Sequence, residues 1–168
     1  AMPVKEAEAT NSMISSGIDV VTCHVDSPKV VVETAERGNI FSCGYHANQA
    51  KLAPKGYLTG AEWNWEKVYT DFVKAMQSRN PLGNFVRGGL KDGFVKTSAY
   101  GPAVSEKARK QADEIKTVML KSGMPIFKGP LKDNKGNVVI GAGAVLQQTD
   151  PKLEAMNYLI EGVLGSTS

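Results

Sequence analysis

The chain has 168 residues, of which 42% are hydrophobic and 22% charged. This is ordinary globular composition at a length that suits one α/β domain or one lobe of a two-lobed protein, and it excludes disorder, collagen and coiled coil. The 20 basic and 17 acidic side chains leave a net charge of +3 with no long run of one sign, which points away from nucleic acid.

No apolar stretch approaches the ~18 residues that a membrane-spanning helix needs. The opening Ala1-Met2-Pro3 has neither the basic start nor the apolar run of a signal peptide, so none is expected in this stretch. Two cysteines, Cys23 and Cys43, do not make a disulfide framework. These features fit a cytosolic protein and fit equally a piece of a longer chain.

In chain order, Pro3 and the run Lys5 to Ser16 predict a helix, with Gly17 just past its end. Ile18 to His24 is a short β-branched run, as expected of a strand buried on both faces. Ser27-Pro28 predicts a helix start that runs to Arg37 and stops at Gly38. Ile40 to Tyr45 predicts a second strand. Strand, helix, strand makes a βαβ unit with parallel strands.

A loop from His46 to Gly56 leads to a short strand, Tyr57 to Gly60. Trp65 to Ser78 reads as a helix with Trp65, Val68, Phe72, Val73 and Met76 on one side. Asn80-Pro81-Leu82-Gly83 reads as a turn. Asn84 to Tyr100 reads as two strands around Gly88-Gly89-Leu90-Lys91-Asp92-Gly93. Ser105 opens a long helix to about Ser122. Ile126 to Ile140 reads as a hairpin around Asp133-Asn134-Lys135-Gly136. Asp150-Pro151 begins a last helix, expected to reach Glu161. No internal repeat or clear domain boundary stands out.

Ligands of open parallel sheets bind beyond the carboxyl ends of the strands. The first strand is followed by Cys23-His24-Val25-Asp26-Ser27, the second by Gly44-Tyr45-His46-Ala47-Asn48-Gln49, and the third by Gly60-Ala61-Glu62-Trp63-Asn64-Trp65. Asp26 and Glu62 can accept from hydroxyls or ring amines. Tyr45, Trp63 and Trp65 offer flat faces to a ring, and Ser27, Asn48 and Gln49 can donate or accept. Structural roles compete: Ser27 suits an N-cap, Asp26 can support the same helix start, and Trp65 suits the core.

Two chemical alternatives compete with simple ligand binding. Cys23-His24 and Cys43-x-x-His46 contain the residue types of a zinc site, but the spacing is no finger pattern and neighbouring strand residues point to opposite faces. The expectation is two buried free thiols, with no metal and no other cofactor. An enzyme would use Cys43 as nucleophile beside His24 or His46. There is no nucleophile elbow, Walker motif or complete dinucleotide fingerprint, so no catalysis is expected.

Taken in order, Gly17-Ile18-Asp19-Val20-Val21, His24-x-Asp26-Ser27-Pro28, Gly44-Tyr45-His46, Lys51-Leu52-Ala53-Pro54, Trp63-Asn64-Trp65, Gly88-Gly89-Leu90-Lys91-Asp92-Gly93, Phe127-Lys128-Gly129-Pro130-Leu131-Lys132-Asp133 and Met156-Asn157-Tyr158-Leu159-Ile160-Glu161-Gly162-Val163 resemble the basic membrane lipoprotein family. These are substrate-binding proteins of bacterial ABC transporters, related to purine nucleoside receptors, and the likeness covers essentially the whole chain.

The resemblance implies an α/β fold of the type I periplasmic-binding-protein kind. It implies a parallel-sheet lobe with flanking helices plus a C-terminal hairpin and helix, forming part of a two-lobed fold. Residues 1–168 would be the C-terminal portion, mostly the second lobe, with crossover segments near 57–65 and 84–100. It also implies non-catalytic capture of a purine-class solute, an ABC-transporter permease as partner, and a periplasmic or cell-surface location.

By position, the ligand contacts would be His24, Asp26, Ser27, Tyr45, His46, Asn48, Glu62 and Trp63. The nucleoside-binding branch carries an acidic residue after the second strand to hold ribose. His46 stands there in this chain, so a free purine base or another heterocycle is implied. A lobe without its partner would expose apolar surface and favour self-association. The competing function is a ligand-sensing domain of a signalling protein.

Overall fold

The computed structural model describes residues 1–80, 83–121 and 123–167. It divides into two compact units, one spanning Ala1–Lys121 and the other taking the rest of the described chain. The turn expected at Asn80-Pro81-Leu82-Gly83 and the helix end expected at Ser122 lie at or across residues outside the described ones.

In the first unit, helix α1 (Pro3–Ser15) leads to strand β1 (Val20–Thr22), helix α2 (Pro28–Arg37) and strand β2 (Phe41–His46). A single 3-10 turn at Ala50–Leu52 precedes strand β3 (Tyr57–Trp63), helix α3 (Trp65–Gln77), strand β4 (Val95–Thr97) and helix α4 (Glu106–Lys121). The sheet order is β1-β2-β3-β4. β1, β2 and β3 run parallel and β4 pairs antiparallel with β3. The expected βαβ unit is present, so the carboxyl ends of three strands lie along one edge.

One face of the sheet is well covered. Pro28 starts α2 without wasting a hydrogen bond, and Val31, Val32 and Ala35, at helical spacing, are buried against Val21 and Tyr57. The Glu36 carboxylate accepts from the backbone N–H of Lys55 at 3.1 Å and of Gly56 at 2.8 Å, tying the end of α2 to the start of β3. α1 packs against α2, and Ile14 sits so close to Gly38 that a Cβ there would meet its Cδ1 at 2.6 Å.

The Tyr57 ring lies flat across this face. It needs the facing pair Gly44 and Gly60, where added Cβ atoms would come within 2.6 and 2.5 Å of its hydroxyl. Residues of the opposite face, Val20 and Phe41, are exposed, which is unusual for parallel strands.

Several expectations need correction. α3 forms as read, but its apolar stripe is not core: Trp65 is 54% exposed and Met76 78%. Asn84 to Tyr100 contains one strand, not two. The Gly89 N–H donates to the Asp92 carboxylate at 2.8 Å and the Phe94 N–H to the Gly89 carbonyl, so this stretch closes as a turn. Asn64 then clamps the turn, donating its side-chain amide to Gly93 O and its backbone N–H to Phe94 O, both at 2.8 Å.

The second unit holds the expected hairpin, β5 (Leu131–Lys132) with β6 (Val138–Ile140). Asp133 organises its turn, accepting from the backbone N–H of Lys135 and Asn137 and from the Asn137 amide at 2.8–2.9 Å. Those donors hold the Asp133 carboxyl below its usual range. The last helix, α5, is only Pro151–Glu154. Residues 159–161 leave the helix to pair with the hairpin: Asn134 N–H donates to Leu159 O and Glu161 N–H to Lys132 O.

Candidate functional site

The edge formed by the ends of β1, β2 and β3 gathers four of the eight residues expected from the sequence. His24 follows β1, Tyr45 and His46 end β2, and Trp63 ends β3. Ring centroids are 4.8 Å apart for His24 and Tyr45, 4.2 Å for Tyr45 and His46, 5.4 Å for His24 and His46, and 5.7 Å for Tyr45 and Trp63. The Trp63 indole donates to His46 Nδ1 at 3.0 Å and is still 37% exposed. These edge-on and tilted contacts leave ring faces free for stacking.

The other four lie outside this cluster of rings. Glu62 is buried and turned onto the Tyr57 side of the sheet. Its carboxylate accepts from Ser98 Oγ at 2.6 Å, and Lys96 Nζ lies 3.8 Å from its other oxygen. Asn48 is exposed, and its side-chain oxygen accepts from the Ala50 N–H at 3.0 Å, opening the 3-10 turn. Ser27 stands at the N-cap of α2, but its side chain makes no capping hydrogen bond. Asp26 is largely exposed, 3.2 Å from the amino group of Ala1.

Further residues join the edge. The aromatic row continues through Trp65, 6.1 Å from Trp63, to Tyr69, 5.7 Å further and stacked. Trp65 and Tyr69 are four apart on one helix face, a signal the sequence offers but a core helix offers too. Beside this row lies a cavity of about 390 Å3 lined by Trp63, Trp65, Phe72, Phe85, Arg87 and Phe94. Small-ligand pockets begin at roughly that size. Gln49 is buried and donates to Tyr45 O at 3.2 Å, which fixes the turn that carries Tyr45 and His46.

Both cysteines are free, as expected, and half-buried rather than buried. Burial pushes the Cys43 thiol above its ordinary value, against a smaller lowering by a backbone hydrogen bond at Thr59. Burial likewise raises Cys23, with the Glu6 charge adding to it. Both shifts oppose the thiolate that a nucleophile needs. Among the described residues, no group of three or more His, Cys, Asp or Glu is placed to hold a metal ion.

The fold is thus an α/β unit with a mainly parallel sheet, and its strand ends bring polar and aromatic side chains together at the edge where ligands of open parallel sheets bind. Residues 3–126 match the family described as ABC transporter substrate-binding protein, PnrA-like, and the chain belongs to that family. It is 29% identical over 161 residues to a purine-binding protein of Brucella abortus, which covers 96% of this chain and 45% of the relative. It is 22% identical over 163 residues to a protein of Haloferax volcanii that carries the name of an ABC transporter glucose-binding protein, covering 97% of this chain and 38% of the relative.

The chain therefore spans less than half the length of these relatives. The crystal structure of a transcriptional activator of the comK gene from Bacillus halodurans superposes with a TM-score of 0.69 at 21% identity, covering 74% of this chain and 44% of that one. An ABC transporter solute-binding protein from Conexibacter woesei gives 0.56 at 13% identity, covering 73% and 42%. These likenesses bear on the fold alone, an α/β unit with a mainly parallel sheet and flanking helices.

Proposed function

We propose that this chain is part of an ABC-transporter substrate-binding protein and takes a purine-class heterocycle, non-covalently, at the strand-end aromatic cluster. The observation that carries the reading is the convergence of His24, Tyr45, His46 and Trp63 from three separate strands, with ring centroids 4.2–5.7 Å apart. A flat, electron-poor ring stacks on such faces, and the imidazole and phenol edges supply a few polar contacts. The Brucella relative's name supports a purine over other solutes. The raised thiols support binding without a chemical step.

In the whole protein the bound solute passes to a membrane permease on the outer side of the cytoplasmic membrane. Among the described residues, no helix is long and apolar enough to cross a membrane. The test is quenching of tryptophan fluorescence in the 168-residue chain, titrated with adenine and, separately, with glucose. Saturable quenching by adenine, lost in Trp63→Ala, is expected. Saturation by glucose and not by adenine refutes the purine assignment and favours the Haloferax relative as guide.

A further inference from the structure

The Trp63–His46 hydrogen bond fixes more than a distance. An indole N–H can only donate, so His46 Nδ1 must hold a lone pair, and the neutral imidazole carries its proton on Nε2. That Nε2–H makes no hydrogen bond to any described protein group.

The contact is also not what a regular strand would give. His46 pairs in register with Glu62, and residues in register on parallel strands share a face. An extended His46 would therefore point to the Glu62 side, away from Trp63. Instead its φ is +75°, a left-handed conformation seldom adopted by a residue with a side chain, which swings the imidazole round to Trp63 and Tyr45. Such conformations persist where the surroundings over-determine them, and they cluster at ligand sites.

We infer that His46 selects the ligand's polarity: Trp63 locks it as a hydrogen-bond donor through Nε2, so the site takes a flat ring that presents an in-plane acceptor there, a ring imine nitrogen or a carbonyl oxygen. This rests on the ligand reading above and deepens it. Rings that offer only N–H groups or a positive charge at that edge are opposed, because donor would face donor. His24, whose ring lies 5.4 Å away, flanks the position without sharing the lock.

The test has two arms. With His24→Gln, His46 is the sole histidine of the chain, and long-range proton–nitrogen NMR at mildly alkaline pH reads its tautomer directly. The Nε2–H form is expected; an Nδ1–H form overturns the inference whatever the ligand does. In the second arm, adenine is compared with deaza analogues in which one ring nitrogen at a time is replaced by CH. At least one analogue is expected to bind about fivefold or more weakly, as for loss of one hydrogen bond that leaves a polar group unpaired. His46→Phe should abolish that discrimination.

Equal affinity for adenine and all its analogues in the unsubstituted chain overturns the inference, as does discrimination that survives His46→Phe. If adenine does not bind at all, the purine reading falls, and the donor assignment is decided by the tautomer alone.

Discussion

Ser98 links the site's scaffold to the sheet, and its removal should be far more damaging than its size implies. Its hydroxyl lies 2.9 Å from Tyr57 Oη and donates to Glu62 at 2.6 Å, so the phenol must donate to Ser98. All three residues are buried. Tyr57→Phe deletes one neutral hydrogen bond and leaves the Ser98–Glu62 bond intact, for a loss of about 1 kcal/mol. Ser98→Ala strands two groups at once. The phenol loses its acceptor, at roughly 1–3 kcal/mol, and the carboxylate loses a charge-assisted donor, at roughly 1.5–3 kcal/mol.

The Lys96 ammonium at 3.8 Å offsets little of this, because its own side chain is mostly exposed. A total of about 3 kcal/mol or more follows, near three times the Tyr57→Phe value. Both tryptophans lie in the first unit, so urea denaturation followed by tryptophan fluorescence reports that unit alone. A Ser98→Ala loss no larger than that of Tyr57→Phe would refute the donor chain and return Glu62 to the list of ligand contacts.

Gly60→Ala should destabilise the first unit by about 1–3 kcal/mol, because the new Cβ would lie 2.5 Å from Tyr57 Oη and 2.7 Å from the Gly44 carbonyl oxygen; a melt unchanged from the parent chain speaks against the ring lying over both glycines. Cys43 should alkylate slowly at neutral pH, its rate still climbing with pH beyond the range of a free thiol, since burial raises it; rapid modification at pH 7 by iodoacetamide would revive the nucleophile reading. Asp133 has its folded value depressed, so its contribution to the hairpin is complete above the unfolded carboxyl value and is lost as pH falls through the folded one. Protection of the Lys135 and Asn137 amides against hydrogen exchange should fall on acidification, and in Asp133→Ala it should be low at every pH.

What the sequence made legible was local. Proline at the start of α2 and Gly38 at its end placed that helix to the residue, and the βαβ order put His24, Tyr45 and His46 on one edge, which Trp63 joins from the end of β3. What it hid depends on partners distant in the chain. Alternation along β3 alone gives no reason to group Glu62 with Tyr57, five residues away. Pairing with β2 skips Leu58, since Ser42 matches Tyr57 and Cys43 matches Thr59, and that bulge moves Tyr57 onto the face of Gly60 and Glu62. Ser98 then arrives from beyond β4 to complete the chain of donors.

The reversed backbone at His46 is equally silent in sequence, because nothing about a histidine announces a positive φ. It becomes intelligible only with Trp63 seated 17 residues later to receive the ring. The two irregularities act together. The bulge turns the acid at the end of β3 inward, where it holds scaffold. The left-handed residue at the end of β2 turns an imidazole toward Trp63. The edge therefore presents aromatic faces and, on the proposal above, a nitrogen donor, and that polarity, more than the count of strand-end residues, would decide which solutes it takes.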